Sequence, residues 1–212
     1  MTNAHNIFII SGPSGVGKTT IAKAIRRRLP WLATSVTYTT RAERVGKKED
    51  KTMVHVDEET FRDKVNRGEF LEWAVVHGNL YGTDGPTITE RLQASHVLLN
   101  IDPQGALQVK RKLPDTTVLI FLNAESADEL VRRISSRQQM DPAELSRRLR
   151  NARAEQRLAG QYDYVVLNRR GHLVAAIQRV ADIIVSHAQL STTVPRPRRL
   201  TRKVAPPPAG HG

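Results

Sequence analysis

The chain has 212 residues, 39% hydrophobic and 25% charged, with 33 Lys and Arg against 21 Asp and Glu and a net charge of +12. One folded domain with a substantial core is expected, and a largely disordered chain is excluded. The absence of cysteine excludes a disulfide framework, a thiolate zinc site, an iron–sulfur cluster and a cysteine nucleophile. No apolar run is long enough to span a membrane, and Met1–Asn6 lacks the pattern of a secretion signal. The expectation is a cytoplasmic globular protein with no membrane partner.

Ile7–Ile10 is the first strand candidate, followed by a glycine-rich turn and a helix from about Lys18 to Leu29. Residues 34–84 have a different rhythm. Ser and Thr alternate with apolar positions, the charged stretch Lys47–Lys51 follows, and a helix is predicted from about Asp57 to Arg67. Asp57 suits its start and Gly68 its end. Phe70–Val76 is a strand closed by Gly78–Asn79, so the segment reads as a small inserted α+β lobe. Beyond it, strands are predicted at Val97–Ile101, Thr117–Leu122 and Tyr164–Leu167. Helices are predicted near 103–112, 126–137, 142–159 and 171–188. Strands that are apolar throughout and separated by helices predict an α/β fold with a parallel sheet covered on both faces. Residues 191–212 carry +5 of the charge together with Pro195, Pro197 and Pro206–Pro208, and are expected to form a disordered basic tail. That tail has no aromatic residue for base stacking. Weak polyanion binding is the most it supports, and no specific nucleic acid is expected.

Gly12–Thr19 matches G-x-x-x-x-G-K-T between a strand and a helix. Glycines let successive backbone N–H groups face a phosphate, and the helix N-terminus adds positive potential. Lys18 reaches the outer phosphates, and the Thr19 hydroxyl suits a Mg²⁺ bridging them. Asp102, at the end of a strand, suits either Mg²⁺ or the N-cap of the helix starting at Pro103. The seven His show no metal-ligand spacing.

The loop variant SGPSGVGKTT, the segments SVTYTTRAER (35–44) and EFLEWAVVHGNLYGT (69–83), and LLNIDPQGA (98–106) occur in order along the chain. Together they resemble the guanylate kinase family, and the resemblance runs from about Ile7 to about Ile184. It implies a P-loop parallel-sheet core (1–33 and 85–190) flanked by helices, a GMP-binding lobe at about 34–84 and a helical lid at about 124–150. The tail at 191–212 falls outside it. It also implies ATP-dependent phosphorylation of GMP to GDP, with ATP and GMP as partners and Mg²⁺ alongside ATP. ATP phosphates would lie on Gly12, Pro13, Ser14, Gly15, Val16, Gly17, Lys18, Thr19 and Thr20, with Arg133 and Asn168 also on the ATP side. GMP would lie against Thr37, Arg41, Arg44, Glu72, Tyr81, Thr83 and Asn100. Lys18, Arg44, Arg137 and Arg148 would be catalytic, and Thr19 and Asp102 would hold the metal.

The residue chemistry agrees with these roles. A carboxylate only accepts hydrogen bonds, and guanine offers donors at N1 and the 2-amino group, where adenine has a bare acceptor at N1. Polar matching of that kind discriminates by about 10⁴-fold. The planar arginine fork suits phosphate oxygens, and cationic groups stabilise the charge of phosphoryl transfer.

Four departures concentrate on the acceptor side. Met53 stands where the family's pattern implies a phosphate-binding tyrosine, and Asn100 stands where it implies an aspartate. Arg169 and Arg170 replace acidic residues after Asn168, and Glu43 and Val45 replace two prolines. Three readings therefore stay open: a guanylate kinase, a kinase for another nucleoside monophosphate or a sugar phosphate, and a non-catalytic binding module. The sequence carries no signal for an oligomeric state.

Overall fold

Ile7–Ser11 (β1) is buried at every position, which requires a strand covered on both faces. The computed structural model describes residues 5–43, 53–76, 78–135 and 142–193. After β1 come α1 (Lys18–Arg28), β2 (Ala33–Thr34), β3 (Thr37–Thr39), β4 (Met53–His55), α2 (Glu58–Asn66), β5 (Phe70–Val76), β6 (Asn79–Asp84) and α3 (Gly85–Ala94). They are followed by β7 (Val97–Asn100), α4 (Pro103–Lys112), β8 (Thr117–Asn123), α5 (Ala127–Ser135), α6 (Pro142–Gln156), a 3-10 turn at Arg157–Gln161, β9 (Tyr164–Leu167) and α7 (Leu173–Thr193). No described helix is long and apolar enough to cross a membrane.

Five strands form a parallel sheet in the order β2-β7-β1-β8-β9. Side chains of β1 alternate between its faces. Phe8 and Ile10 join Ile21 and Ile25 of α1 and Val180 and Ile184 of α7. Ile7 and Ile9 join Ile88 and Leu92 of α3 and Val109 of α4. This three-layer core is the expected α/β arrangement, and it aims the carboxyl ends of β1, β7, β8 and β9 toward one edge. Ligands of parallel α/β sheets bind at that edge.

A second sheet of four strands runs β4-β3-β6-β5, with β3–β4 parallel and the other pairs antiparallel. One of its faces is closed by α2 through Phe61, Phe70 and Leu80, with Tyr38 and Val65 packed against them. Asp57 caps α2 by accepting the Thr60 N–H at 2.7 Å, as the sequence predicts.

Three features go beyond the sequence reading. The polar segment Asn79–Asp84 is a strand, because it is zipped between β5 and β3. Residues 85–94 form a helix, capped by Asp84 through the Thr87 N–H and hydroxyl. α7 runs to Thr193, past the expected boundary at 190. Residues 194–212 of the expected tail lie outside the described residues.

Candidate functional site

The loop after β1 is built from backbone. Gly12 has φ +140°, and a Cβ there would stand 2.2 Å from the Leu122 carbonyl oxygen, so the close approach to β8 admits only glycine. Gly17 caps α1 in a left-handed conformation, and a Cβ there would meet the Asn168 amide at 2.8 Å. Lys18 donates from Nζ to the Gly12 carbonyl at 2.6 Å and the Pro13 carbonyl at 3.1 Å, which folds its side chain back over the loop. Thr19 and Thr20 are exposed at the start of α1.

Asn168 is buried at the end of β9 and donates from Nδ2 to the Val16 carbonyl at 2.8 Å. Arg133, on α5, donates from Nε to Glu129 at 2.8 Å and from Nη2 to the Asn168 carbonyl at 2.9 Å. Gly15, Gly17, Thr20, Arg133, Asn168 and Arg170 line one side of a cavity of about 290 Å³ beside the loop. Arg133 and Asn168, both expected on the ATP side, lie beside the loop, and each is held there by a bond to a main-chain carbonyl.

On the second sheet, the face away from α2 carries a polar row. Met53, Thr37, Thr83 and Glu72 are cross-strand neighbours on four successive strands. Residues at spacing two share a face, so Thr39 and Tyr81 form the next row. Thr83 Oγ1 donates to Glu72 Oε1 at 2.5 Å. Glu72 is only 3% exposed. Burial pushes its carboxyl up to about 7; Asp102 adds to the rise, and the Thr83 hydroxyl and Lys112 oppose it.

Arg41 joins this face from the end of β3. Its Nε donates to the Tyr81 hydroxyl at 2.9 Å, and its Nη2 lies 4.0 Å from the Met53 thioether. Met53 therefore points into the Arg41–Tyr81 cluster. Arg44 and Val45 lie outside the described residues, as does Arg137.

Asn100 and Asp102 stand at the carboxyl end of β7. Asp102 Oδ1 accepts the Gln104 N–H at 2.8 Å and the Gly105 N–H at 3.3 Å, so the N-cap role holds. Oδ2 lies outside that pair of bonds, on the side of Gly105 and Glu72. Arg148 is half-buried on α6. Glu155 lies two helical turns further along the same face and accepts the Ser14 N–H at 3.2 Å. Burial pushes the Glu155 carboxyl up, against the pull of Lys18 and the Ser14 N–H. No local motif marks Glu155 in the sequence, because its partner lies 141 residues away.

A parallel sheet with its glycine-rich loop on the central strand, opposite a smaller sheet bearing arginine and a buried carboxylate, defines the class of P-loop phosphotransferases. The sequence model described as guanylate kinase matches residues 4–187, and the chain belongs to that family. It is 39% identical over 196 residues to the guanylate kinase of Chromobacterium violaceum, covering 92% of this chain and 91% of that one. It is 40% identical over 181 residues to that of Thermotoga maritima, covering 85% and 86%. The crystal structure of guanylate kinase from Anaplasma phagocytophilum matches with a TM-score of 0.71 at 31% identity, over 87% of this chain and 86% of that one. The family consists of ATP-dependent phosphotransferases, and the chain is an enzyme of that kind.

Proposed function

We propose that this enzyme transfers the γ-phosphoryl group of ATP to GMP, giving ADP and GDP, with guanine read by Glu72. The observation that carries this reading is the cross-strand row Thr37–Thr83–Glu72, with Thr83 and Glu72 buried, beside the Arg41–Tyr81 pair. An ionised Glu72 would accept from guanine N1–H and the 2-amino group, and the Thr83 hydroxyl holds its second lone pairs in place. Arg41 and Tyr81, with Arg44, would bind the GMP phosphate. ATP phosphates would lie on Gly12–Thr20, with the Lys18 ammonium released from the loop carbonyls to the β- and γ-oxygens.

A phosphate oxygen of GMP attacks the γ-phosphorus, and the bond to the β-bridging oxygen breaks. ADP leaves, and no protein nucleophile takes part. Arg148, with Arg137 and Lys18, would stabilise the charge on the equatorial oxygens. Thr19 and Asp102 offer the hard oxygens that Mg²⁺ prefers, and Asp102 Oδ2 is placed outside the capping bonds. When bound, Mg²⁺ would neutralise the β- and γ-phosphates. Asn100 would face the acceptor from the end of β7.

The lobe at about 34–84 and the helices of the lid at about 124–150 would close over both nucleotides and exclude water, in the cytoplasm. A carboxylate buried in a polar row has no use in a sugar-phosphate kinase, and a binding module has no use for the Lys18 loop.

The test is ADP formation from ATP and Mg²⁺ with GMP, dGMP, AMP, CMP, UMP or no acceptor. GMP-dependent turnover far above the others is expected. Equal or greater turnover with another acceptor would overturn the substrate, and no turnover with any of them from folded protein would overturn the enzyme reading.

A further inference from the structure

We propose that one face of α4 positions the Glu72 carboxylate, so that Gly105, Gln108 and Lys112 set nucleobase preference through Glu72. The inference rests on Glu72 as the guanine reader.

β5 is the edge strand of the smaller sheet, so its outward N–H and C=O groups have no strand partner. Gln108 supplies one. Its primary amide offers a donor and an acceptor in one plane: Nε2 donates to the Trp73 carbonyl at 2.8 Å, and Oε1 accepts the Trp73 N–H at 3.3 Å. Lys112 Nζ donates to the Leu71 carbonyl at 2.6 Å and the Phe70 carbonyl at 3.4 Å. The residues on both sides of Glu72 are thus tied to α4.

The tie matters at this place because the β5–β6 register is irregular between Phe70 and Glu72. Such an irregularity re-aims a side chain and loosens the ladder. Side chain and helix then meet directly: a Cβ on Gly105 would stand 2.2 Å from Glu72 Oε2 and 2.9 Å from its carboxyl carbon. The missing side chain leaves the room that the carboxylate occupies. Positions 105, 108 and 112 follow the i, i+3, i+7 spacing of one helix face, so a single surface of α4 holds the strand and seats the acid. Asp102, capping the same helix, and Lys112 bring charges of opposite sign that Glu72 also feels.

The test uses the full chain and steady-state kinetics with GMP and AMP as acceptors, for Gly105→Ala and Gln108→Ala in the wild type and in Glu72→Ala. Displacing a carboxylate from two charged hydrogen bonds predicts a rise in the KM for GMP of about tenfold or more for Gly105→Ala. The KM for ATP is expected to stay unchanged. Gln108→Ala, with a few-fold rise, follows the same split. Alanine is the better helix former, so α4 itself gains from Gly105→Ala, and unchanged thermal unfolding checks the fold. In Glu72→Ala neither substitution is expected to lower kcat/KM for GMP further, because there is no carboxylate left to misplace.

Equal losses in both backgrounds, or an unchanged KM for GMP in both single variants while Glu72→Ala loses its preference, would overturn the positioning role and leave Glu72 as the reader. Full GMP-over-AMP preference in Glu72→Ala would overturn the reading beneath it.

Discussion

The two halves of the site are made of different material. On the parallel sheet, the phosphate loop is main chain: three glycines with positive φ, a lysine folded onto two carbonyls, and a helix start. On the smaller sheet, the proposed acceptor site is made of side chains, with one row contributed by four strands and one arginine leaning on a tyrosine. A backbone site is encoded by eight contiguous residues and tolerates little change, since a Cβ at Gly12 would meet a carbonyl oxygen at 2.2 Å. A site of side chains can exchange members singly. Of the departures expected from the sequence, Met53 falls there, Arg169 and Arg170 fall beside the loop, and Gly12–Thr19 itself is intact.

The contrast breaks most severely if the loop proves dispensable. Lys18→Ala is expected to lower kcat by at least about 10²–10³-fold, because it removes a preorganised cation from the transferring phosphates. The loop geometry rests on glycines, so thermal unfolding is expected to change little. Wild-type turnover in this variant would remove the phosphate-loop half of the comparison.

The acceptor half is expected to respond to pH. A carboxyl raised from its usual 4.5 to about 7 by burial carries its proton more readily in the folded chain. Its contribution to stability is present below about pH 4.5 and is lost as pH rises through about 7. The proposed recognition of GMP has the opposite sign, because it would use the ionised form. Below pH 7 the KM for GMP should rise by about tenfold per unit, while the KM for ATP does not follow it. Glu72→Gln should abolish this step and leave only titration of the GMP phosphate, with its second pKa near about 6. Parallel changes in both KM values would place the titrating group elsewhere.

The smallest effect sharpens the comparison. Met53 stands 4.0 Å from the Arg41 guanidinium, inside the proposed phosphate cluster. Met53→Tyr adds a hydroxyl there and should lower the KM for GMP a few-fold, within the range of one hydrogen bond to a charged group. An unchanged KM would mean that Arg41 and Tyr81 already satisfy the phosphate.

The same division explains what the sequence disclosed. Gly12–Thr19 was legible because all its parts are contiguous, and β1 and β8 because burial on both faces requires unbroken apolar runs. Asp57 announced α2 by itself. β6 was hidden because Asn79, Gly82 and Asp84 are poor strand formers, and only pairing on both sides makes them one. α3 was hidden because Gly85-Pro86 reads as a turn, and its apolar face is thin, with Ile88 and Leu92 buried. Glu155 on the loop and Gly105 beneath Glu72 could not be read at all, since each matters through a contact distant in sequence.

The most direct measurement is the ratio of kcat/KM for GMP to that for AMP, in the wild type and in Glu72→Gln. If Glu72 reads guanine, the wild-type ratio is large, and Glu72→Gln lowers it by about 10²-fold or more, chiefly through GMP. An undiminished ratio in Glu72→Gln would contradict the assignment and place the reading of the base elsewhere in the molecule.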